Sequence, residues 1–443
     1  MKSLRHGGRR RALGWLVFLM APALGHASVA WRPVYGARGL GMGGAVGASA
    51  TDQSATLLNP ALLVEVKHTN ATLGAQVFHH PGGITFRRDA DDLSPNGYPE
   101  QPTDNDSSLA PFTGFVFHKD DSPFAFGLGV NVPFAEDLEW SSTGPQRYWA
   151  TKSEFSFLYV TPAAAYRVND WFAFGAGLAL VRLDGKVQQK LDFGAIAGQP
   201  ENIALDGQGD LEGNGTGYGY NAGLLFTPHK KFAIALSYLS GPDFTASGTR
   251  KARIPDALQR GLGLPPVITF TDEELDLRMP AVWRLGATLK PIDHVSIVAE
   301  IQQVDRKNEK FLLKNRGSTR PDVLPDSEEN LVPVPFKSAY SYKLGAEYRL
   351  EALALRAGAL VDQNGIPDGS MSPAGVDTRK LEVTAGAGYE IKKLTIDFGF
   401  AHVMGDTRHV TTSQTVNRLS GRPANGVYEI QSNIFALSAS YRF

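Results

Sequence analysis

Residues 35–63 read YGARGLGMGGAVGASATDQSATLLNPALL, and the meaning of this stretch decides how the rest of the chain is organised. It is rich in Gly and Ala, carries only Arg38 and Asp52 as charges, and runs through Asn59-Pro60-Ala61 near its end. Upstream, MKSLRHGGRRRALGWLVFLMAPALGHASVA joins a basic start (Lys2, Arg5, Arg9, Arg10, Arg11) to an apolar run from Ala12 to about Leu24. That run is too short to span a bilayer as a helix, and the small residues after it suit cleavage after Ala27 or Ala30. The Arg pair has the form of a twin-Arg signal, but such cargo is exported folded. Downstream, from about Asn70 to Phe443, the chain becomes one long series of alternating segments.

Composition sets broad limits. No later apolar run reaches the length of a membrane-spanning helix. Charged residues make up 20% of the chain, which suits a soluble protein or a membrane barrel whose polar lumen dilutes its apolar outside. There is no cysteine, so disulfide staples and thiolate metal sites are excluded. A formal charge of −1 supplies no basic field for nucleic acid. With no Pro/Ser-rich linker to divide the chain, a single closed sheet is the economical architecture.

The alternation has a direction. Phe232, Ile234, Leu236 and Tyr238 oppose Ala233, Ala235 and Ser237; Leu394, Ile396, Phe398 and Phe400 oppose Thr395, Asp397, Gly399 and Ala401. One face is large and apolar, the other small or charged, which fits a barrel with lipid outside and a polar lumen within. About fourteen such segments are expected, an even number as bacterial barrels require. Short links such as residues 119–122, 227–230 and 391–393 alternate with long ones such as 80–111, 246–271 and 405–430. Short periplasmic turns and long external loops are the corresponding signature. The expected division is a signal peptide over residues 1–27, an N-terminal hatch over 28–68 and a transmembrane β-barrel over 69–443. The expected location is the bacterial outer membrane.

These residues resemble the FadL/TodX family of outer-membrane channels for long-chain fatty acids and hydrophobic aromatics. The likeness rests on the Gly/Ala stretch through Asn59-Pro60-Ala61 and on TPAAAYRVNDWFAFGAGLAL, GYNAGLLFTPHKKFAIALSY, LRMPAVWRLGATLKPIDHVSI and FKSAYSYKLGAEYRLEALALRAGALVD. It implies a fourteen-stranded barrel with a hatch, capture of substrate among the outer loops, and sideways exit where one strand is kinked. The terminal Phe443 also resembles the signal that hands barrels to their assembly machinery. The expected partners are a hydrophobic small molecule, outer-membrane lipid and lipopolysaccharide, and that machinery. A monomer without cofactor or bound metal is expected.

Particular residues can be weighed on chemistry. Pro60 biases Asn59 away from helix, so Asn59-Pro60-Ala61 is either the hatch tip or an ordinary turn. In Phe124–Pro133, Gly127 and Gly129 weaken a strand and Pro133 gives no ladder hydrogen bond; with Asn131 they mark a kink and wall opening, or Pro133 merely ends the strand. Ile254, Leu258 and Leu262, with Phe193 and Ile196, form an external capture groove or simply pack as an apolar loop. A carboxylate head group calls for a cation inside, for which Lys337 and Arg182 are candidates, although Arg182 has outward parity. Arg278, Arg284, Glu300, Arg356 and Asp397 fall on the inward parity and are expected to pair with one another. Gly39–Gly44 fits G-x-G-x-x-G literally but lacks a βαβ unit. His79-His80 and Asp89, Asp91 and Asp92 are expected to be solvated loop groups, with divalent or lipopolysaccharide contact open. Rival readings are aromatic-hydrocarbon uptake, a general porin, and a lipid hydrolase, for which His402 lacks an evident Ser partner.

Overall fold

A computed structural model describes residues 30–31, 36–105, 107–119, 121–262, 265–315, 327–330 and 336–443. The expected signal segment 1–27 lies outside the described residues. Fourteen antiparallel strands close into a barrel. They are β1 (Asn70–His79), β2 (Ser107–His118), β3 (Phe124–Glu139), β4 (Lys152–Asn169), β5 (Phe172–Asp192) and β6 (Asp206–His229). Two strands come in halves: β7 (Phe232–Leu239 and Asp243–Arg253) and β8 (Val267–Arg278 and Ala281–Leu289). The rest are β9 (Val295–Asp305), β10 (Ala339–Leu350), β11 (Leu353–Asp362), β12 (Lys380–Ile391), β13 (Leu394–Gly405) and β14 (Gln431–Arg442). β14 pairs with β1 from Asn70↔Arg442 to His79↔Asn433, which removes the free sheet edge.

Period two now acquires a physical cause. Leu73, Phe126, Leu178, Leu236, Leu285, Leu344, Leu355, Phe398 and Leu437 all point outward and are exposed. An apolar belt around the wall, far larger than a soluble monomer exposes, is what lipid covers. The interruptions in β7 and β8 coincide with Pro242 and Pro280, which have no N–H for the ladder. The backbone stays satisfied there because Met279 N–H donates to the carbonyl of Pro242. The break also flips parity: Leu277 points inward and Arg278 outward, whereas Val282 and Arg284 both point inward. Arg278 therefore departs from its expected lumen position and pairs with Asp243 at 2.5 Å on the outside.

The long loops fold into a cap rather than a solvated fringe. Thr85–Arg88, Gln101–Pro102, Arg408–Val410 and Gly426–Glu429 form a second small sheet, whose Phe86 and Tyr428 join the same apolar core as the wall residues Phe134 and Phe157. Asp91, expected to be solvated, is drawn in because the fold brings Arg422 across to it at 3.1 Å, while Asp92 stays exposed as expected and meets the same Arg422 at 2.5 Å. Buried Arg88 bridges Asp91 and Glu201, the latter at 2.7 Å. His80 is likewise buried, its ring nitrogen beside Ser432 Oγ.

The loop after β11 is pinned by Asp377. Burial alone would raise its pKa, but Lys380 at 3.2 Å, the charge of Arg306 and the N–H groups of Gly365 and Ile366 hold it below the ordinary carboxylate range. A depressed folded pKa gives stability that is present above the unfolded value, about 3.9, and lost as pH falls through the folded one. Hydrogen-exchange protection of the Gly365 and Ile366 amides, corrected for intrinsic rate, should therefore collapse on acidification below about pH 4. Asp377→Asn should weaken protection at neutral pH and remove the acid transition; protection indifferent to both changes contradicts this assignment.

Candidate functional site

Residues 36–66 lie inside the barrel and are buried almost throughout. Short turns carry this inner segment: Gly36–Gly41, Ala55–Leu58 and Pro60–Glu65. Its small residues are what let backbone approach wall. Gly43 has φ +63° and sits where a Cβ would meet the backbone of Ala359 at 2.8 Å, a position open in practice only to glycine. Asn59 is fully buried and extended, as the following Pro60 demands. Its Oδ1 accepts from Ala61 N–H at 3.1 Å and its Nδ2 donates to the Gly47 carbonyl at 3.1 Å, so the side chain ties two turns of the segment together.

Opposite Asn59-Pro60-Ala61, the wall has a notch. Gly175 on β5 and Gly223 on β6 are cross-strand partners facing inward. A Cβ on Gly175 would meet the Pro60 carbonyl carbon at 2.5 Å and Ala61 N at 2.6 Å, and one on Gly223 would overlap the Asn59 carboxamide. Polar wall residues then hold the backbone of the segment. Ser237 Oγ donates to the Leu58 carbonyl at 2.7 Å, Thr288 Oγ1 to Ala48 at 2.9 Å and Thr384 Oγ1 to Gly41 at 3.1 Å.

Two buried charge clusters complete the grip. Lys343 meets Glu300 at 2.7 Å, and the other Glu300 oxygen accepts from Gly47 N–H at 2.7 Å. Arg356 bridges Glu347 at 2.8 Å and Asp397 at 2.7 Å, while Arg38 of the inner segment reaches Glu347 at 3.0 Å. Arg284, Glu300, Arg356 and Asp397 thus stand inside, as their parity implies. Neither expected head-group cation does. Arg182 pairs with Asp184 on the outer face of β5 at 2.9 Å, and Lys337 is exposed beside Arg379 and Tyr342 in an outward cleft. Lys343 was legible by the same logic, since Ser341, Lys343, Gly345 and Glu347 oppose the apolar Tyr340, Tyr342 and Leu344.

The wall opens at β3. β2 and β3 pair from Thr113↔Val130 to His118↔Ala125, while Ser107–Phe112 pair among the described residues only with β1. On its other side β3 has a bulge: Asn131 pairs with Tyr159 and Phe134 with Phe157, so Val132 and Pro133 oppose Leu158 alone. The extra residue reverses parity and bends the strand away from β2. Beyond Val130 the free edge carries the two-residue strand Ala30–Trp31, at Phe134 and Ala135. Higher up, Thr103 bridges Trp140 and Asn105 brackets Asp137 and Glu139. The result is a framed gap in the wall.

The glycines expected at the kink serve a different purpose. A Cβ on Gly127 would strike Thr56 and Leu63, and one on Gly129 would overlap Thr56. They clear space for the inner segment, and the bulge itself lies at Val132–Pro133. Inside the gap Phe134, Phe157, Tyr159, Leu183 and Phe244 share a buried apolar core with Leu57 of the segment. Of the expected capture residues, Phe193 and Ile254 pack together with Leu258 against them, whereas Ile196 stands exposed. The side chain of Leu262 lies outside the described residues.

A model of the outer membrane protein transport protein family (OMPP1/FadL/TodX) matches residues 27–443. The chain belongs to that family. It is 24% identical over 383 residues to a long-chain fatty acid transport protein of Salmonella typhi, covering 82% of this chain and 83% of that one. A 47 kDa outer membrane protein of Pasteurella multocida is 24% identical over 429 residues, 91% of this chain and 92% of the relative. Among solved structures, a FadL homologue of Pseudomonas aeruginosa superposes with TM-score 0.77 at 23% identity, covering 92% of this chain and 98% of that one. The toluene transporter TodX of P. putida gives 0.66 at 19%, with coverage of 92% and 98%. The FadL/TodX barrel is thus the fold, and the outer membrane its setting.

Two substitutions test how the FadL-type inner segment is seated. Gly223→Val should displace Asn59 and lower the thermal unfolding midpoint, while Gly209→Ala, whose Cβ meets nothing nearer than 3.5 Å, should leave it unchanged. Lys343→Met strands the Glu300 carboxylate in the interior and should cost about 3–5 kcal/mol in denaturant unfolding. Adding Glu300→Gln should recover much of that loss. Equal midpoints for both glycine variants, or no recovery in the double variant, contradict the packing described.

Proposed function

We propose that this outer-membrane channel takes up hydrophobic molecules passively, gathering them beneath the loop cap and releasing them sideways through the gap between β2 and β3. The observation that carries the reading is the bulge at Val132–Pro133 beside a stretch of β2 that, among the described residues, pairs with β1 and not with β3, next to the aromatic core. An apolar molecule gains nothing from crossing a watery lumen, and a side exit lets it pass from protein to lipid without being rehydrated. The inner segment favours this route over straight passage, because residues 36–66 occupy the lumen and are held there from several strands. That arrangement also disfavours a general porin.

Long-chain fatty acids are the substrate class that the relatives' names support, with other hydrophobic molecules such as aromatic hydrocarbons as the second reading, favoured by the likeness to a toluene transporter. Transport needs no catalytic residue in this scheme.

Because the chain has no cysteine, a single one can be labelled cleanly. Ala135→Cys, at the edge of the gap, should lose uptake of a labelled long-chain fatty acid once a bulky maleimide is attached. Leu355→Cys, outward-facing on β11 and exposed, should keep uptake after the same treatment. Retained uptake in labelled Ala135→Cys would sink the lateral route.

A further inference from the structure

At the lower corner of the gap the wall carries a group of polar side chains that the fold leaves without partners. Asn131 is the first residue of β3 beyond its last pair with β2. It is fully buried, and neither its Nδ2 nor its Oδ1 makes a hydrogen bond. Tyr159, its cross-strand partner on β4, is also fully buried with its hydroxyl unpaired. Gln53 of the inner segment completes the group: it lies over Gly114 on β2, is fully buried, and has both carboxamide atoms unpaired. Gly114 and Gly129 are cross-strand partners, and Asn131 Nδ2 stands 3.1 Å from where a Cβ on Gly129 would be, so the Gln53 and Asn131 carboxamides lie over neighbouring strands at one corner, with Tyr159 next to Asn131 on the same inward face. Thr56 and Thr161 beside them are satisfied, with hydroxyls 3.0 Å apart.

Leaving a buried donor or acceptor unmet is destabilising, because the group has lost its water and gained no partner. Four unmet carboxamide atoms at this corner, with the Tyr159 hydroxyl on the adjoining strand, therefore offer a molecule at the gap a strong incentive to hydrogen-bond there. They are dipoles, with donors and acceptors together and no charge. Arg38 of the inner segment and Lys343 and Arg356 of the wall are engaged in the clusters around Glu300 and Glu347. A carboxylate would bring an unneutralised charge to this corner. A hydroxyl, or a carboxylic acid in its protonated form, can donate to one carboxamide oxygen and accept from the other amide or from Tyr159.

We propose that Asn131, Gln53 and Tyr159 form a binding station at the gap for the uncharged polar end of an otherwise hydrophobic molecule, an alcohol, phenol or protonated carboxylic acid, holding that end while the apolar part enters the wall opening. This deepens the lateral-exit reading and rests on it. The station sets a preference: molecules with one neutral hydrogen-bonding group should bind at this corner better than hydrocarbons of equal size.

Binding can be tested apart from transport. Purified protein in detergent is photolabelled with a long-chain alcohol carrying a diazirine beside its hydroxyl, and in parallel with the matching alkyl diazirine lacking the hydroxyl. Adducts are mapped by mass spectrometry. The alcohol should label the segments containing Asn131 and Tyr159. Labelling should fall about tenfold in Asn131→Leu with Gln53→Met, the factor expected from losing paired hydrogen bonds, while hydrocarbon labelling stays constant. Tyr159→Phe, a change too conservative to disturb folding, should give a smaller fall in the same direction. Alcohol adducts elsewhere in the barrel, or equal changes for both probes, overturn the station. Since the readout is binding, failed uptake through a blocked gap would count against lateral release and leave this result standing.

Discussion

A chain segment enclosed within a barrel must satisfy its own N–H and C=O groups without the ladder that serves the wall. Here the requirement is met by bringing the segment so close that wall side chains reach its carbonyls. Glycines pay for that approach. Gly175 and Gly223 form the notch for Asn59-Pro60-Ala61, Gly127 and Gly129 make room for Thr56, and Gly386 lies against Gly41. Serine and threonine hydroxyls then take the carbonyls of Gly41, Ala48 and Leu58. The small residues of segment and wall are two halves of one fit, and enlarging either half displaces the other.

Seating the segment has consequences for the wall. The ion-pair clusters around Glu300 and Glu347 fasten it to β9, β10, β11 and β13, on strands remote in sequence from the gap. At β3 the contact is of a different kind, through Thr56, Leu57 and Gln53 packed under Gly114, Gly129 and the aromatic core. A bulge beside Pro133 lets β3 leave β2 without stranding the rest of the sheet, since β4 keeps its pairing with β5 throughout the bend. Opening is confined to one interval and framed above by the loop residues that grip Asp137 and Glu139.

Much of this was legible in the sequence, for identifiable reasons. All fourteen strand positions follow from large outward residues opposing small inward ones, because lipid and a crowded lumen impose opposite demands on alternate positions. The same alternation failed at Arg278, where Pro280 breaks β8 and flips the parity of one half. It underestimated β3, which runs past Pro133 to Glu139 through polar residues such as Asp137 and Glu139 and so lacks the apolar signature at its outer end. Neither Lys337 nor Arg182 stands inside, whereas the alternation of Ser341, Lys343, Gly345 and Glu347 against Tyr340, Tyr342 and Leu344 puts Lys343 on the inner face. The gap could be suspected from Pro133, but the unpartnered group of Gln53, Asn131 and Tyr159 could not: it joins three elements whose contact only the closed barrel creates.

If the seated segment directs hydrophobic molecules through the wall, removing its tip should abolish their uptake. Cells lacking their own channel would express either the intact chain or a deletion of Asn59-Pro60-Ala61 at equal surface level, and uptake of a labelled long-chain fatty acid would be compared. The account predicts uptake with the intact chain and its loss in the deletion, although the barrel still assembles. Undiminished uptake by the deletion would contradict it, because the notch of Gly175 and Gly223 would then be holding a tip that transport does not need.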